Sequence, residues 1–154
     1  MSPITLHLPG GPRPFHTLVL DFTGTLSEGG RLLPGVEDRF RSLAAELRIV
    51  VLTADTFGTA REALRELPVS VQVIRDGDQK AEVVSGMGPE GVIAVGNGRN
   101  DIPMMEVAGL GIAVIGPEGA AAGLLACVDV VTRDIRDALD LIRDPLRLKA
   151  TLRD

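Results

Sequence analysis

Leu18-Val19-Leu20-Asp21-Phe22-Thr23-Gly24-Thr25-Leu26 is the stretch that decides the architecture. Three consecutive apolar residues run into a carboxylate, and a small-residue loop follows at once. A strand that is apolar on both faces belongs to a parallel sheet covered by helices on both sides. In such open sheets the carboxyl ends of the strands face the crevice where ligands bind, which places Asp21 for chemistry. Gly24 permits a sharp exit from the strand, and the backbone N–H groups after Asp21, with the Thr25 hydroxyl, are able to hold the oxygens of an anion. Read alone, an Asp capping a turn explains the same residues.

Outward from this strand the chain alternates. Ile49–Thr53, Val69–Ile74, Val92–Val95, Ile112–Ile115 and Val128–Val131 are short β-branched runs. Each is followed by a helix-like stretch, about Ala60–Leu67, Gln79–Met87, Ile102–Val107, Gly119–Ala126 and Ile135–Ile142. Strands separated by single helices imply right-handed βαβ units. Upstream, Ile4, Leu6 and Leu8 alternate with polar residues before Pro9-Gly10-Gly11-Pro12, which predicts a hairpin over residues 1–15 feeding the central strand. Gly29-Gly30 marks a second small hairpin, and a helical period runs through Val36, Phe40, Leu43 and Leu47. The tail 143–154 reads as an amphipathic helix packed on the body. The expectation is one domain over 1–154: a three-layer αβα, Rossmann-like α/β fold with a central parallel sheet.

Composition narrows the function. A formal charge of −5, no Trp or Tyr and four Phe offer neither a basic footprint nor stacking surfaces for nucleic acid. No long uncharged apolar run predicts a membrane span, and no leader is apparent. The single cysteine, Cys127, excludes an internal disulfide and, among apolar neighbours, reads as a packed core thiol. A soluble, cytoplasmic protein is expected.

Three further strand ends carry chemistry. Val50-Val51-Leu52-Thr53-Ala54-Asp55 ends in a hydroxyl and a carboxylate, the latter equally suited to cap the next helix. Asp76-Gly77-Asp78-Gln79-Lys80 opens a helix, with Asp78 the expected N-cap. Lys80 in that first turn is electrostatically odd, because the helix dipole there disfavours a cation; a nearby carboxylate or a bound phosphate removes the oddity. Ile93-Ala94-Val95-Gly96-Asn97-Gly98-Arg99-Asn100-Asp101 leads a strand into a loop flanked by oxygen-bearing side chains suited to a hard cation.

In order and spacing, Asp21-Phe22-Thr23-Gly24-Thr25, Thr53, Lys80 and Gly96-Asn97-Gly98-Arg99-Asn100-Asp101 resemble the four motifs of the haloacid dehalogenase superfamily of phosphoryl-transfer hydrolases. Thr23, Thr53-x-Asp55 and the 96–103 motif are similar to the phosphorylation domain of P-type ATPases, and most of all to small soluble proteins related to them. The resemblance implies a phosphatase working through an aspartyl phosphate on Asp21. It implies Mg²⁺ held by Asp21, the Thr23 carbonyl, Asn97 and Asp101, and phosphoryl oxygens held by Thr53 and Lys80. Gly24, Thr25, Ala54 and Asn100 would complete the substrate site. Lys80 would also lower the carboxylate pKa values, and the sheet order would be 3-2-1-4-5 counted from the Asp21 strand.

The chain departs from the family twice. Thr23 stands where family phosphatases carry the aspartate that protonates the leaving group, and Asn97 where they usually carry a metal-binding aspartate. Slow turnover of unactivated phosphates and weaker magnesium binding follow. Only 31 residues separate Asp21 from Thr53, and 26 separate Thr53 from Lys80, so neither interval holds a cap domain. The open site suits a phosphorylated substrate, small or macromolecular, or closure by a second copy in a homo-oligomer. The alternative function is a regulatory module that accepts or binds phosphate with little turnover.

Overall fold

The computed structural model describes residues 3–153; the parts of the expected terminal elements that fall on 1, 2 and 154 lie outside these. Six parallel strands form the central sheet: β3 (Thr17–Asp21), β6 (Arg48–Thr53), β7 (Ser70–Val73), β8 (Val92–Gly96), β9 (Leu110–Val114) and β10 (Val130–Thr132). Their spatial order is β10-β9-β8-β3-β6-β7. Counted from the Asp21 strand this is the expected 3-2-1-4-5, extended by β10 at one edge. The order reverses at β3, and this switch point brings the ends of β3, β6 and β8 side by side.

Residues along the inner strands alternate between two cores. Leu18, Leu20, Ile49, Val51, Ile93 and Val95 face one layer, and Val19, Val50, Leu52, Val92 and Ala94 face the other. The first layer is built from α1 (Val36–Leu43), α2 (Thr59–Leu64), α6 (Ile135–Arg143) and α7 (Pro145–Leu152). The second comes from α3 (Gly77–Ser85), α4 (Ile102–Val107) and α5 (Ala122–Leu125). Every residue of β3, β8 and β9 is buried, which is why these strands read as unbroken apolar runs. The result is the αβα fold expected from the sequence.

Several boundaries moved, each for a physical reason. The hairpin partner of β1 (Ile4–Leu8) is β2 (Gly11–Phe15), an antiparallel pair apart from the main sheet, so the chain turns once more before the central strand begins. Phe15 and Leu6 bury this pair against the body, and α7 lies against β1. The second hairpin pairs β4 (Ser27–Glu28) with β5 (Arg31–Leu32) around Gly29-Gly30. Asp76, not Asp78, caps α3, accepting from the Gln79 N–H at 2.9 Å. The helix therefore begins two residues earlier than expected, and Asp78 lies in its first turn. Cys127 is half-buried, its neighbours packing only partly against the second core.

Candidate active site

Asp21 is the last residue of β3, registered beside Leu52 of β6, and the chain leaves the strand there through a tight turn. Gly24 in that turn has φ of +75°, which glycine adopts without strain. A Cβ there would also stand 2.7 Å from the Asn97 amide nitrogen. The turn thus packs directly on the loop after β8.

Behind Asp21 lies a buried ionic triad. Lys80, with no exposed surface, donates to Asp21 Oδ1 at 3.0 Å and to Asp101 Oδ1 at 2.7 Å. Its place in the first turn of α3 is thereby explained: two carboxylates outweigh the unfavourable dipole. Asp101 is also fully buried, and its Oδ2 accepts from the backbone N–H groups of Asn97 and Gly98 at 3.1 and 3.0 Å. A Cβ on Gly96 would lie 2.4 Å from Asp101 Oδ2, so this close approach needs glycine.

The electrostatics correct one expectation. Burial, followed by the Asp101 charge, pushes the Asp21 carboxyl up to about 6, and the opposing pull of Lys80 does not cancel them. Lys80 was expected to lower this carboxyl; the desolvation of a group only 8% exposed is the larger effect. For Lys80 itself burial works against the charged form, yet the two carboxylates hold the ammonium above its ordinary range. The lysine is cationic at any working pH.

The triad closes the floor of a cleft of about 500 Å³, into which Asp21, Thr23, Thr53, Ala54, Asn97 and Asn100 all face. Six residues named from the sequence therefore meet at one place. Lys80, Asp101, Gly24 and Thr25 do not line it. Thr25 is fully buried, with its hydroxyl 3.1 Å from Asn97 Oδ1 and 3.4 Å from Asp21 Oδ2. It ties the first motif to the fourth rather than facing the opening. Thr53 accepts from the Asp55 N–H through Oγ1 at 3.1 Å, leaving its hydroxyl proton free to donate into the cleft. Asp55 accepts from the N–H groups of Phe57 and Ala60 at 2.9 and 3.2 Å, and these backbone bonds hold its carboxyl below the usual range. Gly58 in the left-handed conformation precedes α2, so Asp55 braces the helix approach from several residues upstream.

Sequence reasoning missed Glu118, which also lines the cleft. It follows β9, the second strand away from Asp21, and no motif spacing marked it. Gly30 and Thr59 form the rim shared with an adjoining groove of about 600 Å³, which carries Leu32 and the almost fully exposed Phe57.

Asp21, Thr23 and Asn97 line one part of the cleft, and the Asn97 amide oxygen accepts from the Thr25 hydroxyl at 3.1 Å. Among the described residues no three His, Cys, Asp or Glu side chains come together as a metal-ligating group. A carboxylate, an amide oxygen and a main-chain carbonyl are all ligand types that a hard cation such as Mg²⁺ accepts, and Asp21, Asn97 and Thr23 carry one of each. The donor set fits that class of ion.

A doubly wound sheet ending in an aspartate turn over a buried lysine defines a class of hydrolase, and comparison with known proteins agrees. A family model for haloacid dehalogenase-like hydrolases matches residues 47–137. The chain belongs to that family of enzymes. An uncharacterized protein of Methanocaldococcus jannaschii is 52% identical over 63 residues, 41% of this chain and 68% of that one. A probable copper-transporting ATPase of Arabidopsis thaliana is 30% identical over 133 residues, 80% of this chain, although the chain spans only 13% of that protein's length. Among solved structures, a 3-deoxy-D-manno-octulosonate 8-phosphate phosphatase from Moraxella catarrhalis superposes with a TM-score of 0.67 at 18% identity. The match covers 88% of this chain and 90% of that one, whose structure contains magnesium, phosphate and the sugar acid. Among the described residues no helix is long and apolar enough to cross a membrane.

Proposed function

We propose that this hydrolase is a divalent-cation-dependent phosphatase that transfers the phosphoryl group of its substrate to Asp21 and then to water. The observation that carries the reading is the triad: Asp21 alone of its three members faces the cleft, while Lys80 and Asp101 hold it from behind. Lys80 occupies Oδ1, so Oδ2, whose one side-chain contact is the long one to Thr25, is the oxygen that attacks. As the Oδ2–P bond forms, the bond from phosphorus to the leaving oxygen breaks, and that oxygen takes its proton from solvent. Water then adds to phosphorus, the Oδ2–P bond breaks, and inorganic phosphate leaves.

Each remaining group has a task that its position supports. The Thr53 hydroxyl donates to a phosphoryl oxygen, and Asn100 and the Ala54 backbone border the same space. Mg²⁺ held by Asp21, the Thr23 carbonyl and Asn97 would neutralise charge on the phosphoryl oxygens. Asp101, with both oxygens already accepting hydrogen bonds, positions Lys80 and the 97–98 backbone. The leaving group has room past Gly30 and Thr59 in the adjoining groove. Thr23 offers no carboxyl for proton transfer, and general acid–base help is worth about 10²–10⁴-fold. Aryl and acyl phosphates are accordingly better substrates than alkyl phosphates.

The test is hydrolysis of para-nitrophenyl phosphate with Mg²⁺ by wild type and Asp21→Asn. Metal-dependent turnover in the wild type is expected, with an acid-stable, hydroxylamine-labile phosphoenzyme, both lost in the variant. Turnover that survives Asp21→Asn refutes the assignment.

A further inference from the structure

The charges around Asp21 do not match the charge of a divalent cation. Asp21 and Asp101 carry one negative charge each and Lys80, ion-paired to both, carries one positive. A single net negative charge remains, because position 97 is an amide. Two other carboxylates line the cleft. Asp55 enters from the β6 side, and its two oxygens accept from the backbone at the approach to α2. Glu118 enters from the opposite side, where Asn97 lies, and among the described residues its carboxylate has no hydrogen bond or ion pair of its own.

The backbone bearing Glu118 is fixed to the site at several points. Residues 116–119 form a tight turn closed by the Gly119 N–H to the Gly116 carbonyl at 3.0 Å. A Cβ on Gly116 would meet the Gly24 carbonyl at 2.7 Å, so the turn packs on the Asp21 loop. Asn97 Nδ2 donates to the Gly119 carbonyl at 3.1 Å, and the Ala121 N–H to the Asn97 carbonyl at 2.9 Å. The Asn97 amide nitrogen and the Glu118 carboxyl carbon lie 2.7 and 3.1 Å from one point, the position a Gly24 Cβ would take. The turn is thus pinned to the Asp21 loop and to Asn97, and it presents a carboxylate beside the neutral Asn97 amide.

We propose that Glu118 supplies the negative charge that Asn97 withholds, drawing a divalent cation and the water around it to the Asp21 side of the cleft. This rests on the metal-dependent reading above. It makes Glu118 a positioning residue for the cation, acting beside Asn97 from the turn that follows a different strand.

Direct titration with Mn²⁺, following the free ion by electron paramagnetic resonance, tests the assignment without reference to turnover. Wild type, Asp21→Asn, Glu118→Gln, Asn97→Asp and the double variant Asn97→Asp/Glu118→Gln are compared. Glu118→Gln is expected to weaken Mn²⁺ by about 10–100-fold, as loss of a group supporting the ligands does elsewhere. Asn97→Asp in the same chain restores most of the affinity, because the missing charge returns by another route. Glu118 is exposed and its loss leaves the core untouched. Wild-type affinity in Glu118→Gln, with binding still abolished by Asp21→Asn, overturns the role of Glu118 alone. A wild-type protein that binds no Mn²⁺ overturns both this inference and the metal-dependent reading.

Discussion

Replacing Lys80 with Met keeps the length of the side chain and removes its charge from between two carboxylates. Lys80 has no exposed surface, and its ammonium lies 3.0 Å from Asp21 and 2.7 Å from Asp101. Breaking a buried ion pair by deleting one partner costs about 3–5 kcal/mol, because the other charge stays buried without compensation. In a domain of this size each kcal/mol moves the melting temperature by about 2–4 °C, so a fall of about 6–20 °C is expected at pH 7.5. The sign of its pH dependence follows from Asp21. Its carboxyl is already up to about 6 in the fold, above the unfolded value of about 3.9, and loss of Lys80 raises it further. Between those limits the native state holds a proton that the unfolded chain releases, so the variant regains stability as pH falls. Lys80, raised in the fold, contributes fully below its unfolded value near 10.4 and loses that contribution only at alkaline pH. Thermal melts of wild type and Lys80→Met at pH 7.5 and 5 therefore differ most at the higher pH. A variant melting within about 2 °C of wild type at pH 7.5, or with equal deficits at both pH values, refutes the triad as the stabilising unit.

Gly77→Ala improves helix propensity by about 1 kcal/mol, yet its Cβ would lie 2.4 Å from the Asn100 carbonyl oxygen. A net loss of about 1–3 kcal/mol in urea denaturation is expected, and stabilisation would mean that α3 and the 99–101 turn are not rigidly apposed. Thr23→Asp should raise turnover of alkyl phosphates, up to about 10²–10⁴-fold, and shorten the lifetime of the phosphoenzyme in rapid-quench experiments; no gain on alkyl substrates argues against a missing proton donor. kcat/KM should climb as pH rises through about 6, where Asp21 ionises, and a profile already flat below pH 5 would place the essential carboxylate elsewhere.

Much of this molecule was legible before folding. The strand ends at Asp21, Thr53 and Gly96 stood out because parallel strands buried on both faces are written as continuous apolar runs, and the polar residue that ends each run marks the crevice. Helix positions in the chain were equally plain; their caps were not. Asp76 and Asp78 are chemically alike, and only the backbone geometry chose between them. Cys127 looked buried from its neighbours, but its place after the short helix α5 leaves it half open.

The sequence by itself determined a parallel sheet with right-handed crossovers and a polar motif at the end of each of several strands, because alternating strands and helices allow little else; that these motifs meet at the switch point followed from the sheet order that the family resemblance implies. Only the tertiary structure decided which groups face the ligand and which stand behind it. Lys80 and Asp101 withdraw into the floor, Thr25 turns inward to Asn97, and Glu118 reaches the cleft from β9. The reason is that motif spacing specifies positions along the chain, whereas desolvation, ion pairing and the packing of one loop on another depend on distances between residues far apart in it. The upward push on Asp21 arises from those distances alone.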